Sequence, residues 1–300
     1  MAKKNRLFNI ICSICVIFFI FLASAPLITL AIPTTQLIPL TPIVSKPVEN
    51  EDLSAVLTET NAGLPVDISN KPEYDTFTYL ERQVRKLPTN LPVTEPYYGD
   101  KIIYLTFDDG PDPENTPLIL DILKENNIKA TFFVLGTEIE KYPDLLKRIY
   151  AEGHAIGNHS YNHIYQKLYQ SANTYIEQLH HTDDAVKSIL NVRPHISRAP
   201  GGAAGNFTQA YWDVLENQGY IEVGWNISSG DASNAKADQI LNNIMHQTTK
   251  NGFLWSHATL LMHDGKGHTE TVKALPHIIN FYKEHGFDFH VINSKTPPAW

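Results

Sequence analysis

Residues 101–111 read KIIYLTFDDGP. Lys101–Phe107 consists mainly of β-branched, aromatic and aliphatic residues, which is typical of a strand buried in a sheet. Two carboxylates, Asp108 and Asp109, follow directly, and Gly110-Pro111 then favours a turn. This stretch therefore predicts a buried strand with acidic groups at its carboxyl end.

Segments with strand and helix patterns alternate on the carboxyl side of this stretch. Six further strands are predicted at Ala130–Val134, His154–Gly157, His195–Ser197, Ile221–Trp225, Thr259–Met262 and Phe287–Ile292. Helical patterns separate them at Pro117–Asn126, Tyr142–Glu152, Ala172–Leu190, Thr208–Gln218, Ala237–Lys250 and Thr271–His285. Regular alternation of this kind predicts a parallel sheet. We therefore expect an α/β fold, a distorted or incomplete (β/α) barrel of about seven parallel strands.

Polar residues follow five of the predicted strands. They are Asp108 and Asp109, the stretch 158–163, Arg198, Asp231, and His263 with Asp264. Because functional groups in such barrels gather at the carboxyl ends of the strands, we expect these residues on one rim.

Two histidines on this rim have the spacing of metal ligands. His159 and His163 are four residues apart, so on a helical turn both imidazoles would face one way, and Asp109 would be a third ligand. Three protein ligands with an open position are typical of a catalytic zinc site, where the pKa of water falls from about 15.7 toward roughly 7. The same donors would accept Co²⁺, Ni²⁺ or Mn²⁺. A pair of surface histidines and an Asx turn at Asp109 are the structural alternatives.

Five strings, in this order, resemble the motifs of one enzyme family. TFDDGP is followed by NHSYNH, RAPGG, GWNISSGD and LLMHD within residues 99–293. Together they are similar to the polysaccharide deacetylases of carbohydrate esterase family 4, which share the NodB-homology domain. The resemblance implies a divalent metal, usually zinc, and hydrolytic removal of acetyl groups from N-acetylated sugars of peptidoglycan, chitin or related glycans.

The resemblance also assigns roles that the residue pattern leaves open. Along a strand, Asp108 and Asp109 would point to opposite faces, and the pattern does not say which carboxylate binds metal. By resemblance Asp108 is the general base, Asp109 binds metal with His159 and His163, and Arg198 orients the base.

A second set of implied roles concerns the leaving group and the oxyanion. His263 matches the general acid that protonates the departing nitrogen, a contribution of about 10²–10⁴ in rate. Asp231 matches the carboxylate that orients this histidine. The backbone N–H of Gly201, which follows Pro200, matches an oxyanion donor.

Departures from the family pattern concern the substrate groove. Gly201 stands where many members carry Tyr or another large residue, so we expect a wider groove there. The Asp-x-x-Asp-Trp motif reads Ser228, Asp231 and Ala232 at its named positions. The candidate substrate-binding residues are Pro200, Gly201, Trp225 and Tyr161.

The amino-terminal part of the chain differs in composition. Residues 1–32 contain Lys3, Lys4 and Arg6 before an apolar run, which predicts a signal peptide or a membrane anchor. Residues 33–98 are predicted to form a Pro-rich extracytoplasmic linker, with a short helical pattern at Phe77–Leu87. The catalytic domain is expected at 99–293 and a tail at 294–300.

The overall composition restricts the function further. The formal charge is −8 and no basic stripe is present, so a nucleic-acid partner is not expected. Cys12 and Cys15 are the two cysteines, so any metal bound downstream must use histidines and carboxylates.

We expect an exported, metal-dependent N-deacetylase of cell-wall glycan, with peptidoglycan as the first candidate substrate. Deacetylation of chitooligosaccharide or poly-N-acetylglucosamine, and esterase activity on acetylxylan, fit the same residues. A non-catalytic wall-glycan-binding module is the alternative of a different class.

Overall fold

The computed structural model describes residues 70–299. Its strands are β1 (Tyr74–Asp75), β2 (Ile102–Asp108), β3 (Thr131–Val134), β4 (Ala155–Asn158), β5 (Arg193–Pro194), β6 (Ile196–Ser197), β7 (Ile221–Glu222), β8 (Ile227–Ser228), β9 (His257–His263) and β10 (Asp288–His290). Its α-helices are α1 (Tyr79–Arg85), α2 (Asn115–Glu125), α3 (Gly136–Lys141), α4 (Pro143–Ala151), α5 (Tyr165–Leu168), α6 (Ala172–Leu190), α7 (Gln209–Asn217), α8 (Ala237–Lys250) and α9 (Thr269–Glu284).

The main sheet is parallel and curls without closing. Its strand order is β7-β6-β4-β3-β2-β9-β8, and β10 also pairs with β2. Among residues 70–299 the two outermost strands, β7 and β8, do not pair with each other. The predicted incomplete (β/α) barrel of about seven parallel strands is confirmed. Strand β8 is an addition to the prediction, because its two residues lie outside the predicted strand Ile221–Trp225 and show no pattern of their own.

The core explains why β2 has an uninterrupted apolar pattern. All seven residues of β2 are buried, because the strand lies in the middle of the sheet. Ile103, Leu105 and Phe107 belong to the largest core cluster, which also receives apolar side chains from α2, α8 and α9. Strand β2 is thereby fixed in place, and its last residue, Asp108, is presented at the carboxyl rim.

The segment 70–98 differs from its prediction as linker, because residues of this segment contact the α/β fold. The Tyr74 hydroxyl donates to the carbonyl of His154 and accepts from the N–H of Ile156. Helix α1, predicted at 77–87, forms at Tyr79–Arg85 and is fixed by a capping box at Thr78. The folded part therefore begins before residue 99.

The residues after 293 also contact the fold. The carbonyl of Lys295 accepts from the N–H of Tyr97, and the carbonyl of Ala299 accepts from the side chain of Asn226. The stretch predicted as a tail is thus part of the same packed unit as far as residue 299. The predicted signal or anchor at 1–32, and the linker up to residue 69, lie outside the described residues. Between residues 70 and 299, no helix has the length and apolar character needed to cross a bilayer.

Candidate active site

The turn after β2 brings both acidic side chains toward the same histidine. Asp108 ends the strand, and Asp109 adopts φ 74°, so the chain leaves the extended conformation at that residue. Oδ2 of Asp108 lies 3.8 Å, and Oδ1 of Asp109 3.4 Å, from Nε2 of His159. The divergence expected for two consecutive strand residues does not occur, because Asp109 is already part of the turn.

His159 follows β4, and its ring has a defined hydrogen-bonding role. Nδ1 lies 2.8 Å from the carbonyl oxygen of Arg198. A carbonyl only accepts, so this nitrogen carries the proton and Nε2 keeps its lone pair toward the two carboxylates. Burial lowers the pKa of His159, against the opposing effect of Asp108 and Asp109, which favours the neutral ring.

His163 reaches the cluster from a loop. The expected helical turn is wrong, because Ser160 (φ 75°) and His163 (φ 57°) have left-handed backbone conformations and α5 begins only at Tyr165. The loop is held by the Ser160 N–H donating to Asn158 Oδ1 and the His163 N–H donating to Ser160 Oγ. Nε2 of His163 nevertheless lies 3.4 Å from Oδ1 of Asp109.

Asp109, His159 and His163 fit a divalent metal ion. Their ligand atoms all lie within 4.8 Å of one another. Oδ1 of Asp109 is buried and accepts no hydrogen bond from the described residues, although a buried carboxylate oxygen normally has a partner. The two 3.4 Å separations from Asp109 match neighbouring corners of a tetrahedron with metal–ligand bonds of about 2.1 Å.

Arg198 fixes the position of the Asp108 carboxylate. Its Nη1 donates to Oδ1 of Asp108 at 2.9 Å and to Oγ1 of Thr106, while Nε and Nη2 donate to the carbonyls of Val223 and Gly224. Arg198 is fully buried, and its guanidinium stacks on Phe133 at 4.1 Å. One oxygen of Asp108 is therefore occupied, and the other, Oδ2, remains directed toward His159.

His263 lies beside Asp108 at the end of β9, where the two residues are register partners. Its Nδ1 lies 2.9 Å from Oδ1 of Asp231. Burial alone would lower the pKa of His263, but the hydrogen bond and charge of Asp231 outweigh it and raise this pKa to about 9. The raised pKa favours the protonated ring, the form that a general acid needs.

Asp231 is itself held by several donors. Oδ1 accepts from Ser229 Oγ, and Oδ2 accepts from the N–H of His263 and from Thr271 Oγ1. Burial would raise its pKa, but hydrogen bonds, led by that of His263, lower it to about 2. Thr271 could not be identified from sequence, because it lies 40 residues from Asp231 and the two meet only in the fold.

A second cluster adjoins this pair and is a poorer metal site. Asp231, His263 and His268 also bring ligand atoms within 4.8 Å. However, the two rings stack at 4.9 Å with an interplanar angle of 22°, so their in-plane lone pairs do not converge on one point. The oxygens of Asp231 are also already hydrogen-bonded, unlike the free oxygen of Asp109.

The candidate substrate-binding residues divide into two groups. Pro200 and Gly201 lie in a turn whose Pro200 carbonyl accepts from the Tyr169 hydroxyl, and Trp225 packs against Gly202 of this turn. Among residues 70–299, no hydrogen bond uses the N–H of Gly201. Tyr161 is held elsewhere, with its hydroxyl donating to Glu140 and its ring 5.6 Å from that of His181.

An open groove of about 420 Å³ runs beside the metal-ligand cluster. Asp109 and His163 belong to its lining, together with Leu135, Tyr142 and Lys266. The last three could not be identified from sequence, because they come from three separate loops and share no pattern. A groove that includes two metal-ligand candidates is suited to an extended substrate.

Comparison with known proteins agrees with this geometry. The family model described as polysaccharide deacetylase matches residues 96–223. The chain is 35% identical over 205 residues to a peptidoglycan-N-acetylglucosamine deacetylase of Bacillus cereus, covering 66% of this chain and 69% of that protein. The chain belongs to the polysaccharide deacetylase family. It is an enzyme of this family, a hydrolase of acetamido bonds, as the sequence predicted.

Two further relatives, one of them a solved structure, are similar to this chain. The crystal structure of the catalytic domain of a peptidoglycan N-acetylglucosamine deacetylase from Eubacterium rectale superposes with a TM-score of 0.61 at 28% identity, covering 69% of this chain and 95% of that one. A chitooligosaccharide deacetylase of Bradyrhizobium is 30% identical, covering 64% of this chain and 89% of that protein. The polysaccharide deacetylase fold is thus shared by proteins named for two different glycans.

Proposed function

We propose that this polysaccharide deacetylase is exported, depends on a divalent metal, and removes acetyl groups from N-acetylglucosamine or N-acetylmuramic acid of peptidoglycan. The observation that carries the proposal is the meeting of three groups on one rim. A base, Asp108, and an acid, His263, lie beside Asp109, whose buried oxygen faces two imidazoles without a hydrogen bond. The names of the Bacillus cereus and Eubacterium rectale relatives support peptidoglycan as the substrate.

Asp109, His159 and His163 would hold the metal. When bound, a divalent ion supplies Lewis acidity and lowers the pKa of water toward roughly 7. Zinc suits two histidines and one carboxylate, and Co²⁺, Ni²⁺ and Mn²⁺ are alternatives with the same donors.

The chain's own residues supply the proton transfers. Asp108 Oδ2 takes a proton from the water that adds to the acetyl carbonyl carbon, while Arg198 holds the other oxygen of Asp108 in place. The N–H of Gly201 donates to the oxygen that becomes negatively charged. His263 gives its proton to the nitrogen as the carbon–nitrogen bond breaks, and the products are acetate and a free amine.

The test distinguishes two kinds of alternative, which are other glycan substrates and a non-catalytic function. The Bradyrhizobium relative supports chitooligosaccharide, and acetylxylan would require only a different leaving atom. A non-catalytic binding module is disfavoured, because the pairs Asp108–Arg198 and Asp231–His263 are both intact at 2.9 Å. Export, by secretion or by anchoring to the cell membrane facing the wall, is proposed from the apolar run in residues 1–32.

The test is acetate release by the purified chain, stripped of metal and then reloaded with zinc. Peptidoglycan, N-acetylchitooligosaccharides and acetylated xylan are compared in parallel. We expect zinc-dependent acetate from peptidoglycan and none from Asp108→Asn. Zinc-dependent acetate from another glycan alone would replace the substrate, and no acetate from any glycan despite one bound metal would contradict catalysis.

A further inference from the structure

The turn after Pro200 has no side chain of its own facing the metal-ligand cluster. Gly201 is exposed and adopts φ 72°, a conformation that residues with a Cβ rarely adopt. The space beside it is nevertheless filled. A Cβ built on Gly201 would lie 2.8 Å from the hydroxyl oxygen and 3.1 Å from Cε1 of Tyr165.

Tyr165 is held in this position from two sides. Its ring contacts the ring of His163, a metal-ligand candidate, edge-on, with 5.1 Å between the ring centroids. On the other side it lies 6.0 Å from the ring of Tyr169, whose hydroxyl donates to the carbonyl of Pro200. The His163 loop and the Pro200 turn thus meet through two tyrosines.

The Tyr165 hydroxyl is available to a ligand. It makes no hydrogen bond to any residue in the range 70–299, and the side chain is 44% exposed. A phenol hydroxyl has an ordinary pKa of about 10, so it is a hydrogen-bond donor at neutral pH. A free donor therefore lies beside the ligand cluster and beside the Gly201 N–H, which is also unpaired among residues 70–299.

We propose that Tyr165 is a substrate-positioning residue whose hydroxyl donates a hydrogen bond to the N-acetylated sugar bound at the ligand cluster. Tyr165 then forms, from α5, the wall that Gly201 lacks. This inference rests on the proposed function, because it names a further contact with that function's substrate. The acceptor is a carbonyl or hydroxyl oxygen of the sugar, since a phenol hydroxyl donates one hydrogen bond and such oxygens accept it.

The expected effect is on binding rather than on chemistry. Loss of one neutral hydrogen bond weakens association by about two- to tenfold. Tyr165→Phe should therefore raise KM for N-acetylchitooligosaccharide by this factor and leave kcat within about twofold, because a contact made equally in ground and transition states changes KM alone. Tyr165→Ala should raise KM further, since it also removes the wall. Tyr79→Phe, at a half-buried position of α1 where the hydroxyl accepts from Gln83 Nε2, is the control.

The closing experiment measures turnover and binding separately. Acetate release is measured for the zinc-loaded wild type, Tyr165→Phe and Tyr79→Phe. Binding of N-acetylchitotetraose is measured by calorimetry in Asp108→Asn with and without Tyr165→Phe, and zinc content is recorded in every variant.

Weaker binding and raised KM in Tyr165→Phe, with unchanged zinc content, would support the proposal. Acetate release with unchanged KM would overturn the role of Tyr165 and leave the proposed function standing. Weakened binding without acetate release from the wild type would support Tyr165 and overturn the deacetylase reaction on this glycan. Absence of a Tyr165 effect on binding would overturn the role of Tyr165 whether or not acetate is released, and a fall in zinc content would assign Tyr165 to the metal site instead.

Discussion

The carbonyl oxygen of Arg198 lies 2.8 Å from Nδ1 of His159, so one residue serves both halves of the site. Its guanidinium holds Asp108, and its carbonyl determines which nitrogen of His159 carries the proton. A histidine ligand is typically oriented by a hydrogen bond of this kind at its other nitrogen. The relative position of base and metal ligand is therefore fixed by the backbone and side chain of Arg198.

The first prediction concerns metal stoichiometry. The metal-free chain should bind one zinc tightly, and His163→Gln should weaken binding by at least 100-fold because it removes one of three ligands. Calorimetric titration with a competing chelator measures this. His246→Gln, an exposed histidine of α8, should bind as the wild type does. Equal affinities for wild type and His163→Gln would place the metal elsewhere.

The second prediction separates the base from the metal site. Asp108→Asn should lower kcat by about 10²–10⁴, because the amide has no basic oxygen to take the proton. Zinc affinity should change little, since Asp108 Oδ2 is 3.8 Å from His159 and Asp109 Oδ1 is closer. Asp213→Asn, at an exposed position of α7, is the control for an Asp-to-Asn change outside the site. A parallel loss of zinc and of kcat would make Asp108 a ligand instead.

The long strands and helices could be predicted because their patterns are local. β2 and β9 are seven-residue strands within apolar runs, and α6 shows helical periodicity over 19 residues. The carboxyl-end rule then brought Asp108 and His263 to one rim, where they are register partners. Strand β8 escaped prediction, because its two residues lie outside any predicted apolar stretch, whereas β6 and β7 are equally short but lie within such stretches.

The details of the site were less predictable from sequence. The spacing of His159 and His163 indicated convergence, but the convergence comes from a loop that includes two left-handed residues rather than from a helix. Tyr161 lies between the two histidines in sequence, yet its hydroxyl is drawn to Glu140 on α3. Side-chain direction in a loop depends on partners distant in sequence, and no periodic pattern encodes it.

The third prediction concerns the pKa of His263 in the metal-free protein. The His263 ring should titrate at about 9 in an NMR pH titration, because Asp231 stabilises its charged form against the opposing effect of burial. In Asp231→Asn the hydrogen bond and charge of Asp231 are lost and only the smaller effects of Asp108 and Asp109 still oppose burial, so the pKa should fall. Asp238→Asn, on the surface of α8, should leave the titration unchanged. A wild-type pKa near 6.5 would contradict the pairing.

The last prediction concerns Glu222 and the dependence of stability on pH. Its carboxyl group accepts from the N–H of Ala199 and from Ser197 Oγ beneath the Arg198 motif. Although the residue as a whole is half-buried, burial of this carboxyl group raises its pKa from 4.5 to about 8. Between these values the folded chain keeps a proton that the unfolded chain releases. The free energy of unfolding contributed by this group is therefore fully present below pH 4.5 and falls as pH rises toward 8, by at most about 1.4 kcal/mol per pH unit.

Glu222→Gln removes this titration while keeping an oxygen that can accept from Ala199. Relative to the wild type, the variant should gain stability steadily between pH 5 and pH 8, as measured by urea unfolding at each pH. Glu216→Gln, exposed on α7, should follow the wild-type curve. Parallel wild-type and Glu222→Gln curves across this range would mean that Glu222 is already ionised in the folded protein, and that Arg198 and the two donors outweigh the burial of its carboxyl group.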